Sequence, residues 1–164
     1  MTVVTSRIAV NIDALVTAAT AALPDTFVCD GPPKAVQGQD RPKRLWIGTQ
    51  TADPADGGTG GLAAESPQEW RNTRGMTRDE VTTVYCIAEG ASADGVMKSA
   101  RDLAVSVVAA VEALVRPSPS VSNAVGSSFM TEITDLVLEQ YQRDFGAFAR
   151  IPFSVVLTSY LSQS

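Results

Sequence analysis

The chain ends in a long apolar ribbon, QYQRDFGAFARIPFSVVLTSYL, which constrains the fold more than any other stretch. Two strand-like segments, residues 129–142 and 147–161, flank the connection RDFGAF. Asp144 and Phe145 suit the centre of a type I turn, and Gly146 suits the left-handed position with a bulge beside it. The sequence therefore predicts a long C-terminal β-hairpin. Its predicted register pairs residues on one face: Ile133 with Leu157, Val137 with Phe153, and Tyr141 with Ala149.

The two faces of this ribbon differ less in polarity than the two faces of an ordinary half-buried strand. Its odd-numbered residues form the set expected to face the helices: Ile151, Phe153, Val155, Leu157 and Leu161. Other apolar residues are expected on the opposite face: Val156, Tyr160, Leu136, Leu138, Val84 and Cys86. Pro152 has no N–H to donate, so it favours an edge or a bulge. An apolar outer face needs a cover, which either the segment 49–75 or other subunits would supply.

The remaining segments predict two helices, three further strands and one long loop. Apolar residues recur at helical spacing over 8–23 and over 93–116, where Ser92 suits the N-cap position. Segment 49–75 is rich in glycine and has no periodicity, which is typical of a long flexible loop. We therefore expect one α+β domain, with two helices packed on one face of a mostly antiparallel sheet of about five strands. The short β-prone segments are 26–30, 43–48 and 79–90.

Histidine is absent from the 164 residues, which excludes Ser-His-Asp catalysis, Cys-His catalysis and histidine metal sites within the chain. The stretch ADGGTGG lacks the Lys-Ser/Thr ending of a phosphate loop, and DFG stands without the other kinase motifs. Asp79 and Glu80 are adjacent on a strand, so they point to opposite faces and cannot form an acid/base pair. We therefore expect no enzyme activity, no metal and no cofactor.

The charge balance argues against a protein whose main function is to bind nucleic-acid phosphates. The formal net charge is −5, whereas such proteins concentrate Lys and Arg. The stretch DRPKR places Arg41, Lys43 and Arg44 beside Trp46. We expect a solvated cluster there rather than a site for a phosphate backbone or an acidic neighbour.

The cysteines and the N-terminal pattern indicate an intracellular protein. Cys29 and Cys86 are expected to be two buried thiols rather than a disulfide, because secreted scaffolds of this length usually carry more cysteines. The opening MTVVTSRIAVNIDALV does not read as a signal peptide, and no segment approaches the roughly 20 apolar residues of a membrane-spanning helix. We expect a protein made and kept in the cytoplasm, or in an assembly built there.

Nearly the whole chain resembles, in the same order, the tail terminator proteins of long, non-contractile-tailed bacteriophages, in particular those that infect actinobacteria. The resemblance is carried by NIDALVTAATAALPDTFVCDGPP, LWIG, a glycine-rich loop ending in EW, RDEVTTVYCIAEG, VEALVRPSPSV and LEQYQRDFGAFARIPFSVVLTSYL. No single motif is diagnostic. The most specific parts are the closing G-A-x-A-R-I-P-F-x-V segment and the A-L-P-D…D-G-P-P opening.

The resemblance implies an α+β subunit that forms a ring, expected to be a hexamer, on the finished tail tube. Such a ring stops tube growth and presents a docking face for the head-tail connector protein. Genome DNA passes through its lumen without specific binding, which an acidic lumen would favour. The implied partners are other copies of the chain, the tail tube protein and the connector, at the tail–neck junction of the virion, and no membrane.

The resemblance also suggests where neighbouring subunits would meet. The hairpin turn and the glycine-rich loop would make inter-subunit or axial contacts. The residues expected at this interface are Asp53, Asp56, Gly58, Trp70, Leu136, Leu138, Arg143, Asp144, Phe145 and Arg150. Two alternatives stay open: a head-side neck or adaptor protein of the same virion, and a small-molecule-binding α+β domain with a pocket between helices and sheet.

Overall fold

A computed structural model describes residues 6–32, 40–50, 62–72, 77–116 and 130–162 of the chain. These residues form two helices, α1 (Ile8–Ala22) and α2 (Met97–Val115). They also form eight strands: β1 (Phe27–Asp30), β2 (Lys43–Ile47), β3 (Ala64–Glu65), β4 (Gln68–Asn72), β5 (Thr77–Ser92), β6 (Met130–Thr134), β7 (Glu139–Arg143) and β8 (Gly146–Ser162).

The strands form one mixed sheet in which five lie in the order β1-β2-β5-β8-β6. The short strands β3 and β4 pair with β5, and β7 pairs with β8 beyond β6. Every pairing is antiparallel except that of β1 with β2. The predicted α+β class with its C-terminal hairpin is confirmed, and the strand count is higher than the five expected.

Both helices pack on one face of the sheet, where a single core forms. Leu15 and Ala19 of α1 and four valines of α2 meet the odd-numbered residues of β8 there, the four being Val107, Val108, Val111 and Val115. Ile151, Phe153, Val155 and Leu157 face the helices as predicted, whereas the side chains of Tyr160 and Leu161 lie outside the described part. The period-two pattern of β8 therefore identified its buried face correctly.

Val84 and Cys86 are also in this core, so their predicted place on the outer face is wrong. They lie opposite Val155 and Phe153 of β8. Because paired residues of antiparallel strands share a face, this register places them under the helices. Both faces of β5 carry apolar residues, so periodicity alone could not orient it.

The start of α2 differs from the prediction, because β5 continues to Ser92 and leaves it no role as an N-cap. The Asp94 carboxylate accepts a hydrogen bond from the Ser92 hydroxyl and a second one, at 3.2 Å, from the Val96 amide. Gly90 lets α2 lie close to β5, because a Cβ atom at this position would be 2.1 Å from the Ala100 carbonyl oxygen. The helix begins at Met97, four residues later than predicted.

The hairpin turn is at Asp144 and Phe145, as predicted, but the predicted register is wrong. Arg143 pairs with Gly146, so the loop has only two residues and Gly146 already belongs to β8. Tyr141 consequently lies opposite Phe148 instead of Ala149. A one-residue shift moves side chains between faces, so Tyr141 lies on the outer face together with Phe148.

A second shift follows between β6 and β7. Thr134 of β6 pairs with Ser154, and Glu139 of β7 pairs with Arg150. Five residue steps separate Thr134 from Glu139, but only four separate Ser154 from Arg150 on β8. The extra residue lies in segment 135–138, which departs from regular pairing. Asp135 has a φ of 59° there, and Val137 donates a hydrogen bond to the Pro152 carbonyl instead of pairing with Phe153. Ile133 accordingly lies opposite Val155, two residues from its predicted partner Leu157.

Segment 49–75, predicted to be a loop without periodic structure, contains β3 and β4. Both strands extend the edge of β5 that β2 occupies further along, so they lengthen the sheet within its plane. Residues 51–61 and 73–75 of this segment lie outside the described part. Within the described part, no helix is long and apolar enough to span a membrane.

Candidate functional site

A row of alternating charges crosses the outer face of the sheet, opposite the helices. Arg44 of β2 pairs with Glu89 of β5, Glu89 pairs with Arg150 of β8, and Arg150 pairs with Glu139 of β7. Four adjacent strands thus place positive and negative side chains side by side. Opposite charges on directly paired residues attract each other, so this row favours the observed register.

Glu89 is the centre of this row and is 1% exposed. Its Oε1 accepts a hydrogen bond from Arg44 Nη1 at 2.5 Å. Its Oε2 accepts from Arg150 Nε at 2.5 Å and from the Tyr141 hydroxyl at 2.9 Å. One buried carboxylate therefore holds two guanidinium groups and a phenol, and its full set of donors offsets the cost of burying it.

Aromatic rings pack around the two charges at the hairpin end of the row. The rings of Tyr141 and Phe148 are stacked with centroids 5.3 Å apart, and Phe145 meets Phe148 edge-on at 5.5 Å. The guanidinium groups of Arg150 and Arg143 lie 5.0 and 5.3 Å from the centre of the Tyr141 ring. Such contacts let a cation pack against an aromatic ring while keeping its charge.

Burial, followed by the negative charge of Glu89, raises the pKa of the Tyr141 hydroxyl above its ordinary value. The phenol therefore stays protonated at neutral pH and donates to Glu89. It acts as a fixed hydrogen-bond donor and not as a base.

The charged row and the aromatic rings line a cavity of about 410 Å³, here called the arginine cavity. Four arginines and two carboxylates contribute to its wall, so its formal charge is +2. This sign is opposite to that of the whole chain, which is −5. The cavity is therefore suited to an anionic group. Its lining comprises Asp40, Arg41, Pro42, Arg44, Glu89, Ala91, Ser92, Ala93, Tyr141, Arg143, Phe145, Phe148 and Arg150.

A second buried carboxylate, Glu80, lies on the helix side of the sheet and is 0% exposed. It accepts hydrogen bonds from the Ser6 hydroxyl, from the Arg7 amide at 2.8 Å and from the Ser66 hydroxyl at 2.6 Å. Arg7 directly precedes α1, so a negative charge here meets the positive end of the helix. Glu80 therefore anchors the start of α1 to β5.

The residues predicted at an interface fall into separate places. Arg143, Phe145 and Arg150 line the arginine cavity, and Asp144 lies in the hairpin turn beside it. Leu136 and Leu138 are exposed in the irregular segment between β6 and β7. Trp70 lies in β4, opposite Arg78 of β5. The remaining three lie outside the described residues: Asp53, Asp56 and Gly58.

Arg44, Glu89 and Tyr141 are site residues that sequence reasoning did not single out. Arg44 was expected in a solvated cluster, but its side chain is only 11% exposed because it is paired with Glu89. The available signal was a glutamate within the apolar stretch VYCIAEG, where a carboxylate needs a partner.

Lys43 is more exposed and pairs with Asp25 at 2.7 Å. Trp46 is buried against Ile87, as expected for a packing residue.

Cys29 and Cys86 are not joined to each other by a disulfide and pack in two different clusters. Cys86 is in the core under the helices, whereas Cys29 is partly buried and packs against Trp46 and Ile87. Burial raises the pKa of Cys86 to about 12, a shift that the Gly48 backbone hydrogen bond opposes. Across the described ranges, no group of three or more Cys, Asp and Glu residues could hold a metal ion.

No protein-family model matches the sequence, and no curated protein matches it significantly. The fold and the site thus define an α+β protein with a basic, aromatic-lined cavity on the outer face of its sheet.

Proposed function

We propose that this chain is a tail terminator, a structural subunit that forms a ring at the end of a phage tail tube. The proposal joins the resemblance along the chain to one feature of its surface. Three consecutive apolar residues, Leu136, Val137 and Leu138, are 46–55% exposed at the hairpin edge of the sheet. Exposed apolar runs of this kind favour burial by a partner.

The two ends of the sheet supply complementary edges for such a contact. Within the described residues, β1 pairs as a strand with β2 alone, and β6 and β7 pair as strands with β8 alone. Each outer edge therefore presents backbone groups that a further strand can use. A head-to-tail contact between two different edges generates a ring when the rotation closes. We expect six copies, as the resemblance implies.

In this role the ring stops growth of the tube protein and offers a docking surface to the head-tail connector. The acidic balance of the chain suits a lumen through which DNA slides without specific binding. A head-side neck or adaptor protein would share these features. The effect on tube length distinguishes the two roles, because only a terminator stops tube growth.

Native mass spectrometry over a concentration series tests ring formation. The wild type should assemble, and Leu136→Asp combined with Leu138→Asp should remain monomeric with unchanged circular dichroism. Val105→Asp is the matched control, because Val105 is equally exposed but lies on α2. A wild type that is monomeric at all concentrations, with or without tubes, would contradict ring formation.

Negative-stain images of tube subunits grown with and without the protein test the capping role. Tubes should be shorter and more uniform in length when the protein is present. Unchanged tube lengths in the presence of assembled rings would remove the terminator role and favour the neck protein.

A small-molecule-binding domain is the second candidate, because the arginine cavity has the size of a ligand site. This cavity lies on the outer face, whereas the sequence-based alternative placed a pocket between helices and sheet. A monomer that binds a small organic acid stoichiometrically would favour this function over the structural one.

A further inference from the structure

The arginine cavity has cationic groups that the subunit itself does not neutralise. Glu89 contacts both Arg44 and Arg150, and its single negative charge offsets one of their two positive charges. Arg41 and Arg143 remain at the rim, and within the described part no carboxylate lies within ion-pair distance of either. Arg41 donates only a long 3.4 Å hydrogen bond to the Pro24 carbonyl, and Arg143 lies against the Tyr141 ring.

The rim also exposes the largest apolar side chain of the hairpin turn. Phe145 is 67% exposed while its ring edge touches Phe148 inside the cavity. Arginine together with exposed aromatic residues is the composition that dominates binding energy in protein–protein interfaces. The irregular segment 136–138, which directly precedes β7, exposes three further apolar side chains. The surroundings of the cavity thus favour a protein partner.

The charge of the chain identifies which protein fits. The cavity contributes +2 to a total of −5, so the rest of the chain carries −7. A second copy therefore carries an excess of acidic side chains outside its own cavity, and these are suitable partners for a basic cavity. Charge complementarity of this kind selects the partner and its orientation.

We propose that the arginine cavity is a carboxylate-binding socket that receives acidic side chains from the neighbouring copy of this chain. Arg41 and Arg143 would pair with the incoming carboxylates, and Phe145 would be covered by the same neighbour. Glu89 holds Arg150 and Arg44 in place behind them. This inference rests on the proposed ring function and assigns the subunit contact to these residues.

Charge reversal at the rim tests the socket. Arg143→Glu and Arg41→Glu should each raise the apparent dissociation constant of the assembly about tenfold or more, since an incoming carboxylate would meet a like charge. Arg116→Glu makes the same charge change at an exposed position just after the end of α2 and is the control, with an expected change below about threefold. Sedimentation velocity over a dilution series gives these constants, and circular dichroism checks folding.

Salt provides a second readout that a merely structural role would not affect. Assembly of the wild type should weaken as sodium chloride rises from about 0.05 M to about 0.5 M, because charge contacts at a rim are screened. The Arg143→Glu variant should lose most of this salt dependence. The Arg116→Glu control should retain it.

Several outcomes would contradict the proposal that the arginine cavity is a carboxylate-binding socket. One is a wild type that assembles while Arg143→Glu and Arg41→Glu assemble equally well, which would leave the ring proposal intact. Another is tight binding of succinate or inorganic phosphate in the cavity with no effect on assembly, which would make it a small-anion site. Retention of a DNA duplex by the wild type but not by Arg143→Glu would assign the cavity to nucleic acid.

Discussion

Replacing Glu89 with glutamine should destabilise the fold more than any other single charge removal on the outer face. Glu89 is 1% exposed and holds Arg44 and Arg150, whose side chains are 11% and 18% exposed. Glutamine has almost the same shape but carries no charge, so both largely buried guanidinium groups would lose the carboxylate that Glu89 supplies. The Tyr141 hydroxyl would also lose its charged acceptor.

The size of the effect follows from these contacts. Removing one partner of a buried ion pair costs about 3–5 kcal/mol. Each hydrogen bond to a charged group contributes about 1.5–3 kcal/mol, so the three donors to Glu89 would sum to about 4.5–9 kcal/mol. The glutamine amide oxygen still accepts a hydrogen bond, so only part of this sum is lost. A small domain has only about 5–15 kcal/mol of stability, and much of it would be lost.

Urea denaturation followed by circular dichroism measures this loss. With a slope of about 2 kcal/mol per molar urea, the midpoint should fall by about 2 M. Glu112→Gln is the matched control, because Glu112 pairs with Arg116 at 3.2 Å on the exposed surface of α2. We expect the control to lose about 0.5 kcal/mol or less.

A double-mutant cycle separates the ion pair from packing effects. Arg150→Met in the Glu89→Gln background removes one stranded charge, so the two changes together should cost clearly less than their sum. A loss below about 1 kcal/mol for Glu89→Gln, or strict additivity of the two changes, would refute the reasoning. Either result would mean that the two arginines do not depend on Glu89 for their stability in the folded protein.

Three further outcomes follow from the core. Gly90→Ala should lower the free energy of unfolding by about 2–3 kcal/mol in the same denaturation assay, because its Cβ would overlap the Ala100 carbonyl; an unchanged midpoint would contradict this close approach. Phe153→Asp, at a position 2% exposed, should abolish the cooperative unfolding transition, since an unpaired charge would be buried. Stability should fall as pH rises from about 9 toward 12, because unfolded Cys86 ionises first; Cys86→Ala should show a shallower fall, and equal slopes would contradict this assignment.

Local patterns in the sequence predicted the elements because they depend on neighbours along the chain. The helical spacing over 8–23 corresponds to α1, which ends at Ala22 just before Pro24. The period-two alternation of β8 identified which of its residues face the helices. The turn at Asp144 and Phe145 was predicted from residue type alone. In each case the physical cause acts over a few residues.

The hairpin register and the arginine cavity depended on contacts between distant residues. A two-residue loop moved Tyr141 to the outer face, where it meets Phe148, and an extra residue in segment 135–138 placed Ile133 opposite Val155. The letters RDFGAF are compatible with a two-residue or a three-residue loop. Pairing along the whole length of β5 and β8 selected between them, because each residue of shift exchanges buried and exposed side chains.

The sequence by itself determined the α+β class, the helix-facing residues of β8 and the absence of histidine chemistry. Only the tertiary structure decided that Arg44, Glu89 and Arg150, which are 45 and 61 residues apart along the chain, meet in one buried cluster. An isolated glutamate or arginine looks solvated in a sequence, because its burial depends on a partner from another strand. Strand order and register supply that partner, and with it the basic cavity on the outer face of an acidic protein.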